Sequence, residues 1–400
     1  MKIGWRILPF LLALYVMSYL DRTNVAFARV PMSQDLGFSE RVYGIGSGLF
    51  FIGYFLLGIP GALMVEKWGA RLLVGWAAMA WGSVTLLFPF LRTAAGFYSL
   101  RCLLGLAAAP FFPGVVVYIS RRFPLRERSR ALAGFMIAAP ISLTIGGPLS
   151  ALLLHLEGFG FHGWQWVFII EGLITVAMGA LVFAILDDSP RASSTPTDAV
   201  NPVKWWTALA QRNVLLLCLA HACANMAGYG YVFWLPSAIQ NAMGTATGGA
   251  NEISAIPFGL SAAAMWLMAR SSDRSGERKF HACLPMFAAA GFFLATLIPG
   301  QPPALTLVWI CLTGACIFAW IPGFWAMPTA VATGTARASA IGLINSIGNL
   351  GGFLGPAIIG ALLTETHSSR TLPLLVASSY CASAVFVTFV RLPRELQASS

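Results

Sequence analysis

An acid and a base stand side by side inside the first long apolar stretch of the sequence. Asp21 and Arg22 lie in the run YLDRTN (residues 19–24), which continues an apolar segment that begins near Ile7. A charge near the centre of a bilayer costs roughly 2.5–3.5 kcal/mol, so we expect this pair to face protein or water, not lipid. Residues three or four apart share one face of a helix, whereas neighbours point about 100° apart. Tyr19 therefore shares a face with Arg22, and Asp21 points in another direction. The pair therefore offers an acid for proton binding and a guanidinium for anion binding.

Asp21 needs a partner from another helix, and Arg101 is the leading candidate. It is the other basic residue that we place deep in an apolar segment. The stretch AAAPFFPG (residues 107–114) follows it, and two prolines three apart must bend or loosen that helix and bring Arg101 toward a cavity. The alternative is that Arg101 reaches out to a membrane interface, because only about five residues separate it from the preceding loop.

The composition indicates that these residues belong to a membrane protein. The chain has 400 residues, of which 58% are hydrophobic and 10% charged, with a mean hydropathy of +0.75, whereas soluble domains carry about 25% charged residues. We predict an all-α integral membrane fold with twelve transmembrane helices. The twelve apolar segments are residues 7–30, 41–65, 72–91, 97–120, 131–154, 165–186, 213–240, 253–269, 281–299, 304–332, 338–363 and 372–390.

The distribution of basic residues predicts the topology. Nineteen of the 25 Lys and Arg residues fall in loops on the side that holds both termini, so the positive-inside rule places both termini in the cytoplasm. The net charge of +10 follows from this topology, and no nucleic-acid partner is expected. The first segment is too long and too charged for a cleaved signal. All seven cysteines lie in apolar segments without a CxxC motif, so neither disulfides nor metal ligands are expected.

The sequence carries an internal repeat. The pattern acid-base-x-Gly-x-Arg occurs at residues 66–71 and again at residues 273–278, which is 207 residues later. We predict two pseudo-symmetric six-helix halves, residues 1–190 and 212–400, joined by a cytoplasmic linker at residues 191–211. Such parallel repeats occur in one large class of transporters, whose substrate site lies at mid-membrane where the halves meet.

The repeated loop motif is interpreted as a conformational latch. A tight turn requires its glycine, while the acid and the arginine can form an ion pair that exists in only one arrangement of the helices. The latch residues are Glu66 and Arg71 in the first copy and Asp273 and Arg278 in the second. The alternative is a simple topology anchor, because basic cytoplasmic loops occur in all inner-membrane proteins.

Polar residues in the second half form two groups. His221, Asn225 and Tyr229 are spaced by four and predict one polar stripe, which either lines a cavity or hydrogen-bonds neighbouring helices. Asn345 and Asn349 share a face of the eleventh segment beside several glycines, and an amide can partner hydroxyl and carboxylate oxygens. An interhelical role for Asn349 stays open.

Several stretches together resemble the anion:cation symporter family of the major facilitator superfamily, and in particular its bacterial tartrate-transporter-like branch. They are residues 19–24, 112–114, 163–166, 233–236, 272–278, 324–329 and 344–352. The resemblance implies a bacterial inner-membrane transporter that moves organic anions, typically with protons. It implies that Asp21 is the protonatable acid and that Arg22 and Arg101 face the anion. Tyr19 and Tyr54 match aromatic hydroxyl ligands, and Asn345 or Asn349 matches an amide of the eleventh helix.

The chain departs from this family at one position. A glutamate usually follows the arginine of the fourth helix, and this chain has Ala108 there. We therefore expect weak coupling, with at most one proton per dianion or exchange against an internal anion, and His221 is the first candidate for a replacement proton site. We expect a monomer that needs no cofactor and moves a hydroxydicarboxylate such as tartrate. The alternatives are a sugar-acid or aromatic-acid transporter or exchanger and, from another class, a polytopic membrane enzyme or sensor. The sequence carries no metal-ligand cluster or nucleophile-base arrangement that would favour an enzyme.

Overall fold

The structure is a computed structural model that describes residues 2–123, 125–187, 211–331 and 336–392, and the predicted linker at 191–211 lies almost wholly outside them. The described residues before that gap form nine α-helices and one short 3-10 helix, Phe88–Phe90. The α-helices are α1 (Lys2–Phe27), α2 (Arg29–Leu36), α3 (Glu40–Trp68), α4 (Ala70–Thr85), α5 (Ala94–Ala108), α6 (Phe111–Arg122), α7 (Leu125–Met136), α8 (Ala138–Leu153) and α9 (Gly163–Ile185).

The described residues after the gap form eight more helices. They are α10 (Arg212–Met243), α11 (Thr247–Ile253), α12 (Ala255–Ser275), α13 (Lys279–Ala295), α14 (Pro303–Cys316), α15 (Ile321–Val331), α16 (Ala336–Thr366) and α17 (Thr371–Thr388). Ten stretches among the described residues are long and apolar enough to cross a membrane, and α13 is a shorter apolar helix. With α1, whose 26 residues contain the charged run, these elements match the twelve predicted segments.

The chain divides into two compact units. The first comprises Met1–Thr195 together with Thr247–Ala255, and the second comprises Pro196–Ala246 and Ile256–Ser400. The short helix α11 therefore belongs to the first unit although the chain on both sides of it belongs to the second. There Asn251 is fully buried, and its side-chain nitrogen donates to the carbonyl oxygen of Phe27, 3.1 Å away. The sequence analysis placed this segment in the second half, residues 212–400.

The fourth predicted segment is broken in two, as its prolines indicated. Helix α5 ends at Ala108 and α6 begins at Phe111, so the break falls on Ala109 and Pro110. Proline has no backbone N–H and its ring clashes with the preceding turn, which explains the interruption. The break leaves Arg101 in α5, seven residues before the end of that helix.

Helices α3 and α5 pack closely in the first unit because glycines remove side chains at their contact. A Cβ atom on Gly105 would lie 1.9 Å from the backbone oxygen of Phe50, and one on Gly53 would lie 2.1 Å from that of Cys102. Neither distance is sterically allowed. This approach brings the side chain of Arg101 within reach of backbone oxygens on α3.

Large apolar side chains cover the outer surface of both units. Trp76, Leu152 and Leu267 are exposed to 62%, 67% and 57%, and many other apolar residues are similarly open. Soluble monomers rarely expose so many large apolar side chains, whereas helices in a bilayer turn such side chains toward lipid.

Candidate anion and proton site

Arg101 is fully buried and holds three helices together. Its Nη1 and Nη2 each lie 3.2 Å from the carbonyl oxygen of Arg22 on α1, and Nη2 also lies 3.0 Å from that of Ser47 on α3. Its Nε lies 3.4 Å from the carbonyl oxygen of Gly46. With 0% of its surface exposed, Arg101 does not reach a membrane interface, so that alternative is wrong. Its fork of donors ties α5 to the segment of α1 that carries Arg22.

Arg22 sits in a cradle of aromatic rings. Its Cζ lies 5.0 Å from the ring centre of Tyr19, 4.8 Å from that of Phe50 and 5.3 Å from that of Tyr54. Arg22 is half-buried, as is Tyr54. A guanidinium within about 6 Å of ring faces is held by cation–π attraction, and its planar fork suits a carboxylate. The structure thus brings together three residues that the sequence analysis named, Tyr19, Arg22 and Tyr54.

Asp21 points away from that cradle into the packing between α1, α4 and α9. Its Oδ2 accepts hydrogen bonds from the indole Nε1 of Trp81 at 3.0 Å and from the hydroxyl of Thr175 at 2.8 Å. Asp21 is 1% exposed and forms no ion pair with any described residue. The predicted pairing of Asp21 with Arg101 is therefore wrong, because the guanidinium of Arg101 is directed to backbone carbonyls.

A second buried acid, Glu171, lies next to Asp21, and the sequence analysis missed it. Glu171 is on α9 and is completely buried, and its Oε2 accepts a hydrogen bond from the side-chain nitrogen of Asn24 at 2.9 Å. The signal was present in the sequence, since this glutamate interrupts the apolar run WVFIIEGLITV (residues 166–176). The cost argument that singled out Asp21 applies equally to it.

In the second unit, His221 and Asn225 form the centre of the predicted polar stripe. His221 Nδ1 lies 3.1 Å from the carbonyl oxygen of Ile344, and Asn225 Nδ2 lies 3.2 Å from His221 Nε2 and 2.9 Å from the carbonyl oxygen of Gly348. A carbonyl only accepts and an amide NH₂ only donates, so Nδ1 carries the hydrogen and Nε2 accepts. His221 is thus held as the neutral imidazole by contacts between α10 and α16. This arrangement does not favour His221 as the replacement proton site.

The other predicted residues of this unit are more accessible. Tyr229 stacks on Phe233 with ring centres 6.1 Å apart, and it is half-buried. Asn345 is exposed and Asn349 is half-buried, one turn apart on α16. Neither amide hydrogen-bonds to another described residue. Neither amide hydrogen-bonds to His221, whose hydrogen-bond partner on α16 is the carbonyl oxygen of Ile344.

The two predicted latch loops share one backbone feature. Gly69 has a φ of 82° and Gly276 a φ of 69°, a region that favours glycine over other residues. In the second loop Arg278 Nη1 lies 2.7 Å from Asp273 Oδ1, so the acid and the arginine form an ion pair. In the first loop the side chain of Glu66 lies outside the described residues, and Arg71 donates to the carbonyl oxygen of Phe183 at 2.5 Å.

These features define a class of protein. The membrane helices bury two acids and leave Arg22 half-buried among aromatic rings. Ionisable residues inside membrane helices are costly, and they mark substrate and ion sites in membrane transport proteins. The comparison of families agrees, because the profile of the Major Facilitator Superfamily matches residues 11–356. The chain belongs to the Major Facilitator Superfamily.

Individual relatives sharpen this placement. A protein of Agrobacterium vitis named "Putative tartrate transporter" is 40% identical over 97% of this chain and 93% of its own length. The "Inner membrane transport protein RhmT" of Escherichia coli K12 is 37% identical over 88% of this chain and 86% of its own length. These relatives support the tartrate-transporter-like branch that the sequence motifs indicated.

A solved structure supports the fold alone. The bacterial homologue of the human lysosomal transporter Spinster, in an inward-facing and unoccupied conformation, superposes with a TM-score of 0.80. The superposition covers 97% of this chain and 95% of that chain, and the two sequences are 15% identical. The predicted all-α major facilitator fold is confirmed.

Proposed function

We propose that the protein is a secondary transporter of a small organic anion, with a hydroxydicarboxylate such as tartrate as its substrate. The observation that carries this proposal is the half-buried guanidinium of Arg22 among the rings of Tyr19, Phe50 and Tyr54. A cation held in place and left partly open is suited to a carboxylate. The printed name of the Agrobacterium relative supports tartrate in particular.

In this proposal the two arginines of the first unit have different tasks. Arg22 contacts the anion, with Tyr19 and Tyr54 as hydroxyl ligands beside it. Arg101 is a positioning residue, because all three donor atoms of its buried guanidinium face backbone carbonyls, one of them the carbonyl of Arg22 itself. This assignment changes the expectation that both arginines bind the substrate directly.

The polar residues predicted in the second unit are neutral. Within that unit, Asn345, Asn349 and Tyr229 carry amide and hydroxyl groups, which can hydrogen-bond hydroxyl and carboxylate oxygens. Asn225 is less suited than the sequence indicated, because its amide nitrogen already serves His221 and Gly348. The protein resides in the bacterial inner membrane as a monomer with both termini in the cytoplasm.

A sugar-acid or aromatic-acid substrate would also bind Arg22 through its carboxylate. It would differ in the side chains that contact the remainder of the substrate. An exchanger would retain the anion site and need no proton. A membrane enzyme receives no support, since the family is one of transporters. Competition of labelled tartrate uptake by unlabelled monocarboxylates, dicarboxylates and sugar acids ranks these alternatives.

Uptake of labelled tartrate into proteoliposomes tests the proposal. Arg22→Ala leaves a buried carboxylate without its partner, which costs about 2–5 kcal/mol, so the Kd should rise at least about 30-fold. Arg22→Lys should recover only part of this loss because lysine lacks the fork. Arg92→Ala, which removes an exposed arginine bonded to the backbone of Leu91, is the matched control.

Arg101 provides the internal comparison. Arg101→Ala should lower the thermal stability of the substrate-free protein, whereas Arg22→Ala should leave it nearly unchanged and weaken binding. Folded parent protein that takes up neither tartrate nor any other carboxylate would contradict the proposal. Equal substrate binding by parent and Arg22→Ala protein would contradict the role of Arg22.

A further inference from the structure

The hydrogen bonds of Asp21 and Glu171 place two acids in one buried cluster. Asp21 and Asn24 are three residues apart on α1, and Glu171 and Thr175 are four apart on α9, so each pair shares one helix face. Thr175 donates to Asp21, and Asn24 donates to Glu171. The two hydrogen bonds therefore link α1 and α9 at levels one helical turn apart. The two acids are thus separated by about one turn, or 5–6 Å.

The cluster contains more acceptors than donors. Asp21 Oδ1, Asn24 Oδ1 and Glu171 Oε1 are buried, and no described residue donates a hydrogen bond to any of them. A buried polar atom without a partner costs about 1–3 kcal/mol, and an unpaired buried charge costs more. A proton on either carboxyl adds one donor to this cluster and removes one charge. The geometry is thus that of a proton-binding site.

Among the residues that the structure describes, no cation forms an ion pair with either acid. On α1, Arg22 points toward the aromatic rings around it. On α5, Arg101 is directed to backbone carbonyls. On α2, which packs against α9, Asp35 accepts from the indole of Trp164 and Arg29 pairs with Glu40.

The other described helices that pack against α9 also place no cation beside Asp21 or Glu171. On α4, Arg71 bonds to the backbone of Phe183, three turns along α9 from Glu171. Helix α8 contains no titratable side chain, and Trp81 of α4 and Thr175 of α9 are neutral donors. The other titratable residues of α1 are Lys2 and Arg6, near its amino-terminal end, and Tyr15 and Tyr19, whose rings pack on each other. No other described titratable side chain hydrogen-bonds to or forms an ion pair with either acid.

We infer that Asp21 and Glu171 form one proton-binding pair, and that Glu171 supplies the second proton site that Ala108 does not provide on the fourth segment. The pair takes up two protons from the outer solution and releases them to the cytoplasm, one for each negative charge of a dianion. This inference rests on the proposed anion transport for its role in coupling. It replaces the expectation of at most one proton per dianion.

Infrared spectroscopy tests the pair without any need for transport. The carbonyl stretch of protonated carboxylic acids should be present at neutral pH in the parent and should fall as the pH is raised. Asp21→Asn and Glu171→Gln should each remove about half of that band, and the double variant should remove it. Asp187→Asn, which changes an exposed carboxylate beyond the end of α9, is the control and should leave the band unchanged. A band that Glu171→Gln does not alter, or one that does not titrate, would overturn the inference.

Simultaneous measurement of current and pH change in proteoliposomes then tests coupling. Parent protein should take up tartrate with two protons and no net current, and Glu171→Gln should show inward negative current with one proton fewer. A parent that moves net negative charge, with the same proton count as Glu171→Gln, would refute the coupling role. If the parent transports no anion, the proposed function fails, while the infrared result still decides whether the pair binds protons.

Discussion

Replacing Gly348 by alanine should disrupt the polar contact between α10 and α16. A Cβ atom at this position would lie 2.0 Å from Nδ1 of His221 and 2.5 Å from its Cγ. Ordinary contact begins at 3.4 Å, so the imidazole would have to move by roughly 1.4 Å. That displacement breaks the hydrogen bond to the carbonyl oxygen of Ile344 and the one from Asn225.

The expected cost follows from these contacts. Overpacking a well-filled interior costs about 1–3 kcal/mol. A buried donor left without its acceptor adds about 1–3 kcal/mol. The free energy of unfolding should therefore fall by about 2–6 kcal/mol, which lowers the Tm by at least about 4 °C for units of this size.

Thermal unfolding of purified protein in detergent measures this effect, and the same helix offers a control. Gly342 is exposed, and a Cβ atom there would meet no other atom within 4 Å, so Gly342→Ala should be neutral or stabilising by up to about 1 kcal/mol. In a His221→Ala background the clash disappears, and Gly348→Ala should cost little. Equal losses in both backgrounds, or no loss in the parent background, would refute the reasoning.

Two further variants concern the loop at residues 273–278 and the end of α9. Asp273→Asn removes the ion pair with Arg278; because that acid is exposed, stability should change by less than about 1 kcal/mol, while a latch role requires a slower uptake rate that Asp273→Glu restores. Asp187 gives a pH prediction: partial burial raises the pKa of its carboxyl, but hydrogen bonds from Tyr118 and Arg122 lower it more, to below its usual value. A lowered pKa in the folded protein stabilises it above the unfolded-state pKa, and this contribution is lost as pH falls through the folded-state pKa. Asp187→Asn should therefore have a lower Tm than the parent at neutral pH, and the two should converge in acid; a constant difference across the pH range would exclude this assignment.

The local elements could be predicted because their physical causes are local. Twelve apolar segments, the break before Phe111 and the tight turns at Gly69 and Gly276 follow from hydrocarbon thickness, proline chemistry and backbone sterics, all of which act within a few residues. Because a charge in lipid is costly, the sequence alone indicated that Asp21 and Arg22 face protein or water and not lipid. The same rule applied consistently would have found Glu171.

The partners of those residues could not be predicted. Arg101 was expected to meet the charge of Asp21, and it instead meets the backbone of Arg22, because the glycines of α3 and α5 bring Gly46 and Ser47 close to its fork. The helical repeat predicts which residues share a face, but it does not predict which neighbouring helix packs against that face.

The sequence by itself determined that this chain is a helical membrane protein with a repeated architecture and with acid and arginine in its first helix. Those conclusions rest on hydropathy, spacing and the cost of burying charge, which are properties of single segments. Only the tertiary structure decided that Asp21 lies beside Glu171, that Arg101 positions Arg22, and that His221 is held neutral against α16. Each of these contacts joins residues 79 to 154 positions apart in the chain, and their pairing depends on how whole helices pack.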